Sequence, residues 1–137
     1  MKEKIKVAMM KTAEIFAELS TARRKKVGAI LVKDGRILSI GYNGTPSGWD
    51  NNCEEEIDGV LVTKKEVLHA EDNCLTKVAR SHDSSDRASL FVTVSPCLEC
   101  AKQIYASGVI EVYYKEIYRS DEGLLFLEKC GIRVEKM

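Results

Sequence analysis

The chain carries no excess of either charge. Lys and Arg number 21 and Asp and Glu number 21, whereas a protein built to blanket a long polyphosphate is normally basic. Extended binding to DNA or RNA is therefore not expected. There is no long apolar run either. The longest, Val27 to Val32, falls far short of the roughly 20 residues a bilayer span needs, and the charged opening Met1 to Lys6 leads into no signal-peptide core. The expectation is a soluble, cytoplasmic protein with no membrane partner. Five cysteines, an odd number without an export signal, argue against a disulfide framework and leave thiols available for metal chemistry. Histidine is scarce, with only His69 and His82.

What is present is ordinary for a globular protein: 45% of residues are apolar and 31% charged in 137 residues, which predicts one domain over 1–137. Ile5, Met9, Thr12, Phe16 and Leu19 recur at three- and four-residue spacing, the stripe of an amphipathic helix over 2–19. Val27 to Lys33, the turn Asp34-Gly35 and Arg36 to Tyr42 read as a β-hairpin. From Asn43 to Leu68 periodicity is lost among Gly44, Pro46, Gly48, Asp50, Asn51 and Asn52, and a long loop is expected. A helix over 69–80 follows, with Ala70, Cys74, Leu75 and Val78 as its inner stripe. Then come a strand at 89–94, a helix at 97–107, a strand at 109–115, a helix capped by Ser120 or Asp121 and stopped at Gly131, and a strand at 132–135. Strands alternating with single helices predict an α/β fold. Its five-stranded mixed sheet has an N-terminal antiparallel hairpin, parallel remaining strands and helices on both faces.

Two short runs carry the chemistry. His69-Ala70-Glu71 opens one predicted helix and Pro96-Cys97-Leu98-Glu99-Cys100 opens the next. Taken singly each is ambiguous. The Cys-x-x-Cys step suits a redox pair or half a zinc finger, His69 a capping histidine, and Glu71 a first-turn glutamate complementing the helix dipole. Together, with both halves at strand-to-helix junctions, they match the H-x-E…P-C-x-x-C signature of zinc-dependent deaminases. The chemistry is consistent with that pattern. Zinc takes thiolate sulfur and imidazole nitrogen, and the positive end of a helix favours thiolate over thiol. Cys97, Cys100 and His69 make a three-donor set that leaves one tetrahedral position for water, whose pKa zinc lowers toward about 7. Glu71 is then placed to move protons without ligating the metal. Neither His82 nor Cys74 has the spacing of a fourth zinc-finger ligand.

With Gly41-Tyr42-Asn43-Gly44-Thr45-Pro46, His69-Ala70-Glu71-Asp72-Asn73 and Ser95-Pro96-Cys97-Leu98-Glu99-Cys100-Ala101, the sequence resembles the cytidine deaminase superfamily. Within it, the likeness is to the deoxycytidylate (dCMP) deaminases, particularly the short phage-type ones. The resemblance runs from Val27 to about Val134 and implies a three-layer α/β/α sandwich. It implies hydrolysis of dCMP to dUMP and ammonia by zinc-activated water, with Glu71 acting first as base and then as acid. The product would supply thymidylate synthesis. It further implies that the Ala70 backbone and the Ser95 carbonyl hold the pyrimidine edge, that Asn43 bonds the deoxyribose, and that Arg24 and Arg119 face the phosphate. Tyr118 is placed near base or sugar. By the same resemblance dCTP activates and dTTP inhibits, with Mg2+ on the triphosphate. Lys26, Gly28, Asn43 and Gly44 are within the effector's reach, and the chain assembles as a homohexamer. Some phage relatives carry a second, structural zinc in the loop before the catalytic helix. Here Cys53 is the only cysteine of that loop and no histidine precedes His69, so none is expected. Cys74 and Cys130 read as small core residues, and Trp49 as either a loop anchor or a lid. The competing readings are a deaminase of tRNA or single-stranded nucleic acid, which the neutral charge disfavours, and a non-catalytic zinc-stapled binding module.

Overall fold

Asp34 and Gly35 both adopt positive φ, 51° and 74°, the geometry that lets a two-residue turn follow the right-handed twist of paired strands. In the computed structural model, which describes residues 1–137, this turn joins β1 (Gly28–Lys33) to β2 (Arg36–Tyr42). The hairpin follows α1 (Glu3–Ala17). After it come β3 (Glu54–Ile57), β4 (Val60–Thr63), α2 (Ala70–Ala79), β5 (Ser89–Val94), α3 (Leu98–Ala106), β6 (Glu111–Glu116), α4 (Glu122–Lys129) and β7 (Arg133–Lys136). The main sheet has the order β2-β1-β5-β6-β7. β1 pairs antiparallel with both β2 and β5, while β5, β6 and β7 are mutually parallel, as the alternating pattern predicts.

The sheet is covered on both sides, so every residue of β5 is buried. Met10 and Ala13 of α1 cover Ile30, Val32, Phe91 and Tyr113 on one face, where the last two rings stack at 4.6 Å. Ala70, Cys74, Leu75 and Val78 of α2, with Ala101, Ile104 and Leu127 from α3 and α4, cover Ala29, Leu31, Leu90, Val92 and Val112 on the other. The three-layer α/β/α arrangement is thus present, and the expected inner stripe of α2 is the observed one.

Two local expectations need correction. α1 does not bury the stripe through Ile5 and Leu19, which are 37% and 56% exposed; it turns Lys6, Met10, Ala13 and Ala17 inward. Small residues win because the helix rides close to the sheet: a methyl group on Gly28 would stand 2.0 Å from the Ala13 carbonyl oxygen. Lys6 is tolerated there because its ammonium meets Glu135 at 3.3 Å and lies over the Tyr113 ring. The expected loop at 43–68 also contains a second hairpin, β3–β4, turned by Asp58-Gly59 with φ of 51° and 76°. That turn repeats the chemistry of Asp34-Gly35, so an Asp-Gly signal was available in the sequence. The acidic run Glu54-Glu55-Glu56 in β3 lacks the apolar alternation that marks a strand.

Candidate active site

The helix starts that carry the motifs lie at the edge of the sheet where β2, β5 and β6 end. Backbone contact sets their position. A methyl on Gly41 of β2 would lie 2.3 Å from the Ala70 carbonyl oxygen and 2.5 Å from the Cys74 nitrogen, so only glycine lets α2 seat on β2. Asn73 Nδ2 donates to the Tyr42 carbonyl at 2.8 Å and Ser39 Oγ to the Cys74 carbonyl at 2.7 Å, tying the same two elements. Gly123 plays the matching part for α3: a methyl there would sit 2.2 Å from the Pro96 carbonyl oxygen.

His69 and Cys97 are the N-cap residues of α2 and α3. Their ligand atoms and Cys100 Sγ all lie within 4.8 Å of one another, and no other His, Cys, Asp or Glu joins the group. His69 Nδ1 stands 3.1 Å from Cys100 Sγ and 3.7 Å from Cys97 Sγ. Tetrahedral zinc with ordinary bond lengths calls for N···S separations of about 3.6 Å, so the donors fit that ion in both chemistry and spacing. Without metal the cluster shares its protons unequally. Hydrogen bonds from Cys100 and His69 hold the Cys97 thiol down to about 4. The bond to Cys97 pushes His69 up to about 9. Cys100, donating to Cys97 and desolvated, is pushed upward. The arrangement favours the thiolate form at Cys97 over Cys100.

Glu71 follows in the first turn of α2 and is 5% exposed. Desolvation pushes its carboxyl up to about 7, against the opposing pull of its own backbone hydrogen bond and the His69 charge. It lines a cleft of about 330 Å³ together with His69, Ala70, Ser95 and Cys97. Arg24, Asn43, Tyr118 and Arg119 line the same cleft. Arg24 donates to the Tyr118 hydroxyl at 3.2 Å, and the Arg119 guanidinium lies over the Tyr118 ring at 5.1 Å, so two cations flank one aromatic. Arg119 is held at φ 68°, an unfavourable backbone state for a residue with a side chain.

Every catalytic, metal and substrate position expected from the sequence except Cys100 lines this one cleft, and Cys100 stands beside His69 and Cys97 at its wall. The segments are up to 95 residues apart, as Arg24 and Arg119 show by their numbering. Asn43 is partly committed elsewhere: its side chain accepts from Val27 N at 2.9 Å and donates to the Lys25 carbonyl at 2.8 Å, leaving one further donor and acceptor position. Of the expected effector residues, Asn43 lies on the main cleft and bonds to Lys25 and Val27, which flank Lys26. Lys26 faces a neighbouring cleft with Lys25, Lys115, Glu14 and Glu18. Gly28 is buried beneath α1, and Gly44 forms a β-bridge to Leu68. Thr63 and Val67, from the segment expected as loop, also line the main cleft; no local spacing in the sequence marks them. Cys74 is fully buried, as expected of a small core residue, whereas Cys130, at the exposed end of α4, is only half-buried; Cys53 is fully buried and Trp49 is 58% exposed.

Comparison with known proteins agrees with this geometry. The family model of the cytidine and deoxycytidylate deaminase zinc-binding region matches residues 3–116. The chain belongs to that family. This family member is 34% identical over 134 residues to the deoxycytidylate deaminase of Saccharomyces cerevisiae, across 93% of the chain but only 43% of the yeast protein's length. It is 30% identical to the deoxycytidylate deaminase of Enterobacteria phage T4, covering 80% of this chain and 77% of the phage protein. Among solved structures, the dCMP deaminase of cyanophage S-TIM5 in complex with dCMP and dUMP superposes with a TM-score of 0.95 at 51% identity, over 100% of this chain and 99% of that one. No helix is long and apolar enough to cross a membrane.

Proposed function

We propose that this deaminase-family chain, acting as one domain, hydrolyses dCMP to dUMP and ammonia. The observation that carries the reading is a buried carboxyl, Glu71, beside a three-donor metal cluster in a cleft that also presents two guanidinium groups. The cyanophage relative, whose structure holds dCMP and dUMP, supports the choice of substrate.

His69, Cys97 and Cys100 hold zinc, and when bound the ion supplies the Lewis acidity that brings a water molecule's pKa toward about 7. Glu71 takes the proton from the attacking water as its oxygen bonds to C4 and passes that proton to N3. It next takes the proton of the new hydroxyl and delivers it to the amino nitrogen as the C4–N bond breaks, so ammonia leaves and a carbonyl remains. Burial suits Glu71 to both steps by keeping its pKa near neutrality. The Ala70 backbone and the Ser95 carbonyl orient the pyrimidine edge, Asn43 meets the deoxyribose with its remaining polar capacity, and Tyr118 packs against base or sugar. Arg24 and Arg119 receive the phosphate, which guanidinium binds through two oxygens at once.

The regulatory part of the proposal is activation by dCTP and inhibition by dTTP with Mg2+ on the triphosphate, in a homohexamer that works in the cytoplasm and supplies dUMP for thymidylate. It rests on the family resemblance of the segment from Gly41 to Pro46. Ammonia release from dCMP, deoxycytidine and a cytosine-containing oligonucleotide tests the substrate reading; comparable turnover of all three would overturn it. Titrating dCTP and dTTP into the same assay tests regulation, and a flat response removes that part while leaving the chemistry in place.

A further inference from the structure

The β3–β4 hairpin reaches the cleft through Thr63. Glu54 and Thr63 face each other in the antiparallel register, and both hold Arg24. Glu54 is 1% exposed, and its Oε2 accepts the backbone N–H groups of Arg23 at 2.8 Å and Arg24 at 3.0 Å. Thr63 Oγ1 accepts from the Arg24 guanidinium at 3.1 Å. One strand of the hairpin therefore grips the main chain of Arg24 and the other grips its head, while Tyr118 takes another guanidinium nitrogen from the opposite wall. The hairpin is itself clasped to the preceding segment by Arg23, which donates to Asn52 Oδ1 at 3.0 Å and lies 3.4 Å from Glu54 Oε1.

We propose that Glu54 and Thr63 are positioning residues that hold the Arg24 guanidinium and so set the preference of the cleft for a nucleoside monophosphate over the bare nucleoside. The inference rests on Arg24 being a phosphate ligand. A long arginine side chain free in solution samples many rotamers, and a phosphate that must order it loses binding free energy in doing so. Fixing both ends of the residue in advance removes that loss. A buried carboxylate is retained at position 54 because the two adjacent N–H groups it accepts come from a segment with no strand partner at that point.

The experiment compares steady-state kinetics on dCMP and deoxycytidine for the zinc-loaded wild type, Glu54→Gln, Thr63→Val, Thr63→Ser and Arg24→Ala. Glu54→Gln is expected to lower kcat/KM for dCMP about tenfold, chiefly through KM, with deoxycytidine unchanged. Thr63→Val shifts the same ratio in the same direction, and Thr63→Ser, which keeps the hydroxyl, restores it. A purely structural role would depress both substrates together, so an equal loss on dCMP and deoxycytidine overturns the inference, as does a preference that survives both Glu54→Gln and Thr63→Val. If Arg24→Ala leaves the preference intact, the phosphate reading of Arg24 falls and this inference with it. If Arg24→Ala abolishes the preference while the hairpin variants retain it, this inference alone falls.

Discussion

Replacing Gly41 by alanine tests whether backbone contact between β2 and α2 builds the metal site. The added methyl would lie 2.3 Å from the Ala70 carbonyl oxygen and 2.5 Å from the Cys74 nitrogen, two atoms one helical turn apart, where ordinary contact begins near 3.4 Å. Neither neighbour is a flexible side-chain tip, so α2 must retreat by about 1 Å or lose the hydrogen bond between them. Its other ties oppose retreat: Asn73 is bonded to Tyr42 and Ser39 to Cys74 at 2.7–2.8 Å. Overpacking of this kind costs about 1–3 kcal/mol, which in a domain of this size lowers Tm by roughly 3–10 °C. His69 moves with α2 while Cys97 and Cys100 stay with α3, so zinc affinity falls as well. Differential scanning calorimetry and metal content after dialysis against a graded zinc chelator measure the two effects. A Gly41→Ala protein that melts within 2 °C of wild type and retains zinc equally well would refute the argument.

Glu71→Gln is expected to cut dCMP turnover by at least about a hundredfold with zinc retained, measured as ammonia release and metal content. The same variant reports on burial in the metal-free protein. The folded pKa of Glu71 is raised to about 7 from an ordinary 4.5, so stability is greatest below 4.5 and is lost as pH rises toward 7. Metal-free Glu71→Gln should therefore be more stable than metal-free wild type by on the order of 2–3 kcal/mol at pH 8 and nearly equal at pH 4.5, read from urea melts. Zinc uptake at pH 7 should release about two protons, one from His69, whose pKa is raised to about 9, and one from the upward-shifted Cys100. Calorimetry in buffers of different ionisation enthalpy counts them, and release of none would contradict the proton arrangement described. Arg119→Gly removes a guanidinium and relieves a residue held at φ 68°; Tm should rise slightly, by the equivalent of about 1 kcal/mol, while KM for dCMP increases.

Local chemistry was legible in the sequence wherever neighbours along the chain decide it. Asp34-Gly35 and Asp58-Gly59 both turn as their composition demands. The short strands and the α2 stripe followed from apolar periodicity. His69, Glu71, Cys97 and Cys100 were visible because each motif spans only a few residues at a helix start, where spacing alone limits where donors can point. The face of α1 was not legible, because several apolar residues compete for burial and the close approach of Ala13 to Gly28 chooses among them. The support of Arg24 by Glu54, Thr63 and Tyr118 was hidden for a similar reason: those partners lie 30, 39 and 94 positions away. Sequence spacing determines which groups one turn or helix start can present. Only the packing of that turn against the rest of the chain decides which other groups it meets, because those contacts depend on backbone approach distances that no local pattern records.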